Sequence, residues 1–172
     1  MKLGSSPQEQ VARLMSFEER YFRQILFWGE DFQSRLSKVN VFVGGLGGLG
    51  CIVSELLARS GVGEIYLCDD GVVDLPNLNR QILYSKKNLG RKKAEVACEK
   101  LSEINSKVVF LILNEGISED LFMPNVDFVF DCLDNYKSRF LLCDLARPGC
   151  FFIHGGVDAN SGQIITLKKR GF

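Results

Sequence analysis

The stretch Val39-Asn40-Val41-Phe42-Val43-Gly44-Gly45-Leu46-Gly47-Gly48-Leu49-Gly50 decides how the chain folds. A strand-like VNVFV runs into a G-x-G-x-x-G spacing made by Gly45, Gly47 and Gly50, and a helical pattern from Leu49 to Arg59 follows at once. Strand, glycine turn and helix in that order are the setting in which this spacing signals a nucleotide loop. The first glycine permits the tight turn, the second lets backbone approach a phosphate, and the third lets helix pack on strand. Gly48 adds another position without a side chain, and the helix N-terminus offers free N–H donors to an anion.

Outward from this loop, short β-branched or aliphatic runs alternate with longer amphipathic stretches. Strands are expected at Asn40–Gly44, Glu64–Cys68, Val108–Leu113, Asp127–Asp131, Phe151–His154 and Gln163–Leu167, with helices at Leu49–Arg59, Arg91–Asn105 and Lys137–Ala146. Alternation of this kind implies an α/β, Rossmann-like fold: a mostly parallel sheet with helices on both faces. Before it lies a helical N-terminal segment, residues 1–38, with helices expected at Gln8–Met15, Phe17–Trp28 and Phe32–Leu36 and a break at Gly29. Residues 39–172 then form the nucleotide-binding part of what reads as one domain. Ser118 is placed to cap a single helical turn before Pro124.

Composition narrows the partners. Twenty-one Lys+Arg balance twenty-one Asp+Glu in 172 residues, which argues against broad nucleic-acid or acidic-membrane binding. The uncharged run from Val39 to Ser54 is too short and too glycine-broken to span a bilayer. The N-terminus lacks the apolar core and cleavage site of a secretory signal, so a cytoplasmic location is expected. Six cysteines without a C-x-x-C pair read as structural thiols, and one histidine, His154, cannot build a metal site alone. Zinc is therefore not expected.

Asp69 ends the second expected strand, 19 residues after Gly50, where a carboxylate can accept hydrogen bonds from ribose hydroxyls. Loop and carboxylate together fit either a nicotinamide dinucleotide or ATP. Beyond them, Asn77, Arg80 and Lys93 could converge on a polyphosphate, whose charge needs fixed cations and amide donors. Asp134 stands after the apolar strand ending at Asp131, and one such carboxylate is enough for magnesium held jointly by phosphate and water. Asn135 is expected to cap the helix that begins near Tyr136.

Taken in order, RYFRQILFWG (Arg20–Gly29), GGLGGLG (Gly44–Gly50), the Asp69 strand end, NLNRQIL (Asn77–Leu83), LGRKKAEVA (Leu89–Ala97) and DCLDNYKSR (Asp131–Arg139) resemble the ThiF/MoeB/HesA family. That family is the bacterial and archaeal relative of ubiquitin-activating enzymes, and the resemblance runs from about Arg20 to the final GQIITL. It implies an adenylyltransferase, in which the C-terminal carboxylate of a small ubiquitin-like sulfur-carrier protein with a Gly-Gly tail attacks the α-phosphate of Mg·ATP and releases pyrophosphate. By motif, Gly45, Gly47, Gly48 and Gly50 approach the nucleotide and Asp69 holds the ribose. Asn77, Arg80 and Lys93 hold the phosphates, and Asp134 holds magnesium. The resemblance also implies a homodimer in which Arg23 reaches the neighbouring subunit's site.

This sequence departs from the family pattern in three places. Gly71 stands where the family usually has a second acidic residue, with Asp70 beside it, and Pro76 stands where serine is common. The family continues past GQIITL with a cysteine loop, further strands and often zinc-binding motifs, so the chain is expected to be a short or C-terminally truncated member limited to adenylation. Two other functions fit part of the pattern. A non-catalytic subunit or carrier-binding module would share the fold, and an NAD-dependent oxidoreductase would use the loop and Asp69 but leave Arg80, Lys93 and Asp134 without work.

Overall fold

Alternate residues of the first strand enter different cores, and this places helices on both faces of the sheet. In the computed structural model, which describes residues 19–170, Val41 and Val43 of β1 (Asn40–Gly44) point into one buried cluster and Phe42 into the other. The same period of two continues in β2 (Glu64–Cys68), where Ile65 and Leu67 join the first cluster and Cys68 the second. Helices α3 (Gly48–Ser60) and α4 (Lys93–Ile104) close the first cluster through Cys51, Ala58, Ala94, Ala97 and Leu101. Leu142 of α5 (Tyr136–Leu145), with Leu121, Met123 and Val126, closes the second.

With β3 (Val109–Leu113), β4 (Phe128–Asp131), β5 (Phe151–Asp158) and β6 (Ser161–Lys168), these strands form one sheet in the order β3-β2-β1-β4-β5-β6. The pairings from β3 through β5 are parallel, and only β6 runs antiparallel, against β5. The order reverses between β1 and β4. A crevice opens there beyond the carboxyl ends of the strands, which is where open α/β sheets take ligands.

The N-terminal helices dock at the opposite end. Helix α1, described over residues 19–28, and α2 (Glu30–Leu36) are separated by Gly29, whose φ of 84° breaks the helical path as expected. Arg20 Nη1 donates to Ile104 O at the end of α4 (2.9 Å), and Gln24 and Gln33 donate to Ser60 O at the end of α3 (3.2 and 2.9 Å). These side chains satisfy carbonyls that a helix C-terminus leaves without partners. The helix expected over Gln8–Met15 and the beginning of the next at Phe17 lie outside the described residues.

The single turn expected after Ser118 is present, closed by the Leu121 N–H donating to Ser118 O (3.1 Å). Five residues and a proline are too few to nucleate more. One expectation needs correcting: the fifth strand runs past His154 to Asp158, because Gly155, Gly156 and Val157 pair with Ile164, Gln163 and Gly162 of β6. Among the described residues, no helix is long and apolar enough to cross a membrane.

Candidate functional site

The four loop glycines have unequal reasons to be glycine. Gly45 takes a φ of 87°, and a Cβ there would lie 2.9 Å from Cys132 O. A Cβ on Gly50 would lie 1.8 Å from Gly45 O, so the turn and the helix leave no room for it. Gly47 and Gly48 meet only ordinary contacts, at 3.9 Å to Gln81 Nε2 and 3.5 Å to Arg80 Cγ. The fold thus requires Gly45 and Gly50, while Gly47 and Gly48 leave backbone bare at the cleft.

That cleft, about 740 Å³, lies against the glycine loop, the ends of β2 and β4, and the start of α5. The buried residue Leu46 anchors its loop at both polar atoms. Its N–H donates to Asp69 Oδ2 (2.7 Å), and its carbonyl accepts from the Tyr84 hydroxyl (2.9 Å). Asp69 Oδ1 accepts from the Gly71 N–H (2.8 Å), so each oxygen holds one backbone amide while the carboxylate still lines the cleft. Burial pushes the Tyr84 hydroxyl well above the usual phenol range, which keeps it a donor.

The basic residues of the RKK run separate in space. Arg91 pairs with Glu99 (2.5 Å), and Lys92 Nζ donates to Asp70 O (2.7 Å). Lys93 lines the cleft with Arg80, whose Nη1 donates to Pro76 O and Asn79 Oδ1 (both 3.1 Å). Asn77 is placed differently. Its Oδ1 accepts from the Asp74 N–H (3.0 Å) in the turn Leu75–Asn77, and it is not part of the cleft wall. Pro76 sits in this same turn, which suits its fixed φ.

On the β4 side, Asp134 lines the cleft beside Asn135, which caps α5 by accepting from the Ser138 N–H (2.9 Å) as expected. Among the described residues, no group of three or more His, Cys, Asp or Glu side chains could hold a metal ion. Asp134 offers one carboxylate at this edge, and one is enough for a magnesium ion carried on a phosphate. Arg23 is exposed on α1 and does not line this cleft.

Sequence reasoning missed Gln81, Tyr84, Glu115 and Arg139. Gln81 is only 3% exposed and lines the cleft, and its Oε1 has no hydrogen-bond partner within the protein. Its place directly after Arg80 was a usable signal. Glu115 follows β3 at the carboxyl edge, and the same edge rule that selected Asp69 would have found it. Cys68 and Cys132 also line the cleft, and burial pushes both thiols up to about 12.

A doubly wound sheet with a glycine loop, a strand-end carboxylate and two cations at its switch point defines a nucleotide-binding α/β protein. The chain belongs to the ThiF family, which matches residues 21–171. It is 35% identical over 161 residues to the molybdopterin-synthase adenylyltransferase of Salmonella typhimurium, covering 88% of this chain and 63% of that protein. It is 37% identical over 158 residues to the Escherichia coli protein of the same name, covering 86% of this chain and 62% of that one. The structure of E. coli tRNA N6-threonylcarbamoyladenosine dehydratase, TcdA, in complex with ATP superposes with a TM-score of 0.69 at 28% identity, covering 74% of this chain and 54% of that one. This chain spans 29% to 63% of the length of the first curated relatives it matches.

Proposed function

We propose that this chain activates the C-terminal carboxylate of a small ubiquitin-like sulfur-carrier protein by adenylation, with Mg·ATP as co-substrate. A carboxylate oxygen of the carrier forms a bond to the α-phosphorus, the bond from that phosphorus to the bridging oxygen breaks, and pyrophosphate leaves with the electron pair. No general base is required, because a C-terminal carboxylate is already ionised at neutral pH. The protein's work is then in-line positioning and neutralisation of the charge moving onto pyrophosphate.

The observation that carries this reading is the meeting of Arg80, Lys93 and Asp134 with Gly47 and Gly48 in one cleft. A hydride-transfer function would need neither the two cations nor Asp134. Gly47 and Gly48 would let the phosphates approach backbone, Arg80 and Lys93 would hold them, and Asp134 would take the magnesium they carry. Asp69 would accept from the ribose while keeping its two amides. Asn77 would have to leave its cap on Asp74 to reach a phosphate. The names of the relatives, adenylyltransferases of molybdopterin synthase, and the ATP held by TcdA support the same choice of substrate class.

The working unit is a homodimer in the cytoplasm, with Arg23 serving the partner's site. Two features support this arrangement. Helix α1 packs at the far end of α3, about 20 Å from the glycine loop at 1.5 Å per residue, so Arg23 lies far from its own cleft. It also shares α1 with Phe22, Leu26 and Phe27, which are 54%, 67% and 86% exposed. Carrier-dependent exchange of labelled pyrophosphate into ATP tests the reaction itself.

A further inference from the structure

The residue immediately before Asp134 is gripped at both of its backbone polar atoms, and a single histidine joins the two grips. The Leu133 N–H donates to Asp131 Oδ1 (3.1 Å), and Leu133 O accepts from both Nε (2.9 Å) and Nη2 of Arg139. His154, from β5, lies between the gripping side chains. Its Nδ1 is 2.6 Å from Asp131 Oδ2, and its Nε2 is 3.3 Å from Arg139 Nη1 and 3.1 Å from Gln163 Nε2 on β6.

Chemistry fixes the ring's protons. A guanidinium can only donate, so Nε2 facing Arg139 must accept, and the proton of the neutral ring sits on Nδ1, where it donates to the fully buried Asp131. A ring protonated at both nitrogens would turn a second donor against Arg139 Nη1 and the Gln163 amide. The fold leaves space for this cluster: a Cβ on Gly156 would lie 3.1 Å from both Arg139 Nη1 and His154 Nε2.

We propose that His154 is a positioning residue: held as the Nδ1–H tautomer, it locks Asp131 and Arg139 onto Leu133 and so fixes the backbone from which Asp134 faces the cleft. It also links the β5–β6 hairpin to the nucleotide site. This role rests on the adenylation reading only in so far as Asp134 serves Mg·ATP. The groups facing the ring are Asp131 from β4, Arg139 from α5 and Gln163 from β6.

Because His154 is the chain's one histidine, its ring nitrogens are assignable without ambiguity in 15N-labelled, tag-free protein. Long-range 1H–15N spectra above the ring's titration should show a protonated Nδ1 and an unprotonated Nε2. The Leu133 and Asp134 amide signals should move on acidification with the midpoint of the ring. Either the opposite tautomer or amides indifferent to the ring's titration would overturn the proposal, whatever the protein does with ATP. Mg·ATP calorimetry adds a second readout: His154→Ala should weaken binding about tenfold. In an Asp134→Ala background the same change should have little further effect. Fully additive losses would mean that His154 does not act through Asp134. Absence of any Mg·ATP binding by the unaltered protein would count against the adenylation reading, while the spectra still decide the tautomer and the coupling.

Discussion

Asp69 holds the Leu46 N–H at 2.7 Å, so the end of β2 and the glycine turn after β1 form one rigid unit. The carboxylate expected to hold ribose is also a strut of the loop expected to hold phosphate. Tyr84 completes the strut from the other side, at Leu46 O, which leaves the loop little freedom to collapse into the cleft when no ligand is bound. Preorganisation of this kind reduces the ordering cost of binding a nucleotide.

The contrast among the loop glycines can be measured. Gly47→Ala meets nothing nearer than 3.9 Å, so the variant should melt within about 3 °C of the parent while losing most of its nucleotide affinity. Gly50→Ala drives a methyl group to 1.8 Å from Gly45 O and should fail to fold. Thermal melts with ATP calorimetry separate the two, and a Gly47→Ala variant that binds ATP normally would mean that no phosphate passes there.

Arg80→Ala and Lys93→Ala should each lower pyrophosphate exchange by about a hundredfold, because preorganised charges act on the transition state. Both side chains are incompletely buried, and neither forms an ion pair among the described residues, so melting temperatures should stay within about 2 °C. Loss of folding with normal turnover in the folded remainder would make these residues structural instead.

Stability should fall as pH rises above about 9. Burial pushes the Cys51 thiol from 9.0 to about 11 and those of Cys68 and Cys132 to about 12. Between pH 9 and these values the unfolded chain has lost protons that the folded chain keeps, so deprotonation favours unfolding by up to about 1.4 kcal/mol per pH unit for each thiol. Urea unfolding at pH 8, 9 and 10 should show this slope, and Cys51→Ala should reduce it. The same burial predicts that neither Cys68 nor Cys132 carries a carrier thioester, which mass spectrometry after turnover would reveal.

What the sequence disclosed was local. The break at Gly29, Asn135 before α5 and Pro76 in its turn all act through neighbours in the chain. Contacts chosen by packing stayed hidden. Tyr84 meets Leu46 across 38 positions, and His154 meets Asp131 across 23, with no pattern in either segment to announce the pairing. The extension of β5 through Gly155 and Gly156 was invisible for a similar reason, since glycines read as a strand end until β6 supplies their partners.

Arg23 and Asp134 offer a test of shared sites. If each site takes Arg23 from one chain and Asp134 from the other, Arg23→Ala and Asp134→Ala homodimers should both be inactive, and co-refolded mixtures should regain activity. Random equal mixing makes about half of the dimers mixed, each with one intact site of two, so about a quarter of the parent activity should return. No recovery despite demonstrated subunit exchange would show that Arg23 does not act across the interface.

Pyrophosphate exchange reads adenylation itself, because only a reversible attack at the α-phosphate returns labelled pyrophosphate to ATP. Purified protein with Mg·ATP and a ubiquitin-like carrier ending in Gly-Gly should incorporate label. Incorporation should be lost when the terminal glycine is removed, and NAD should not replace ATP. A chain that binds the carrier and ATP yet gives no exchange with any such carrier would rule out adenylation and leave a binding module built on the same fold.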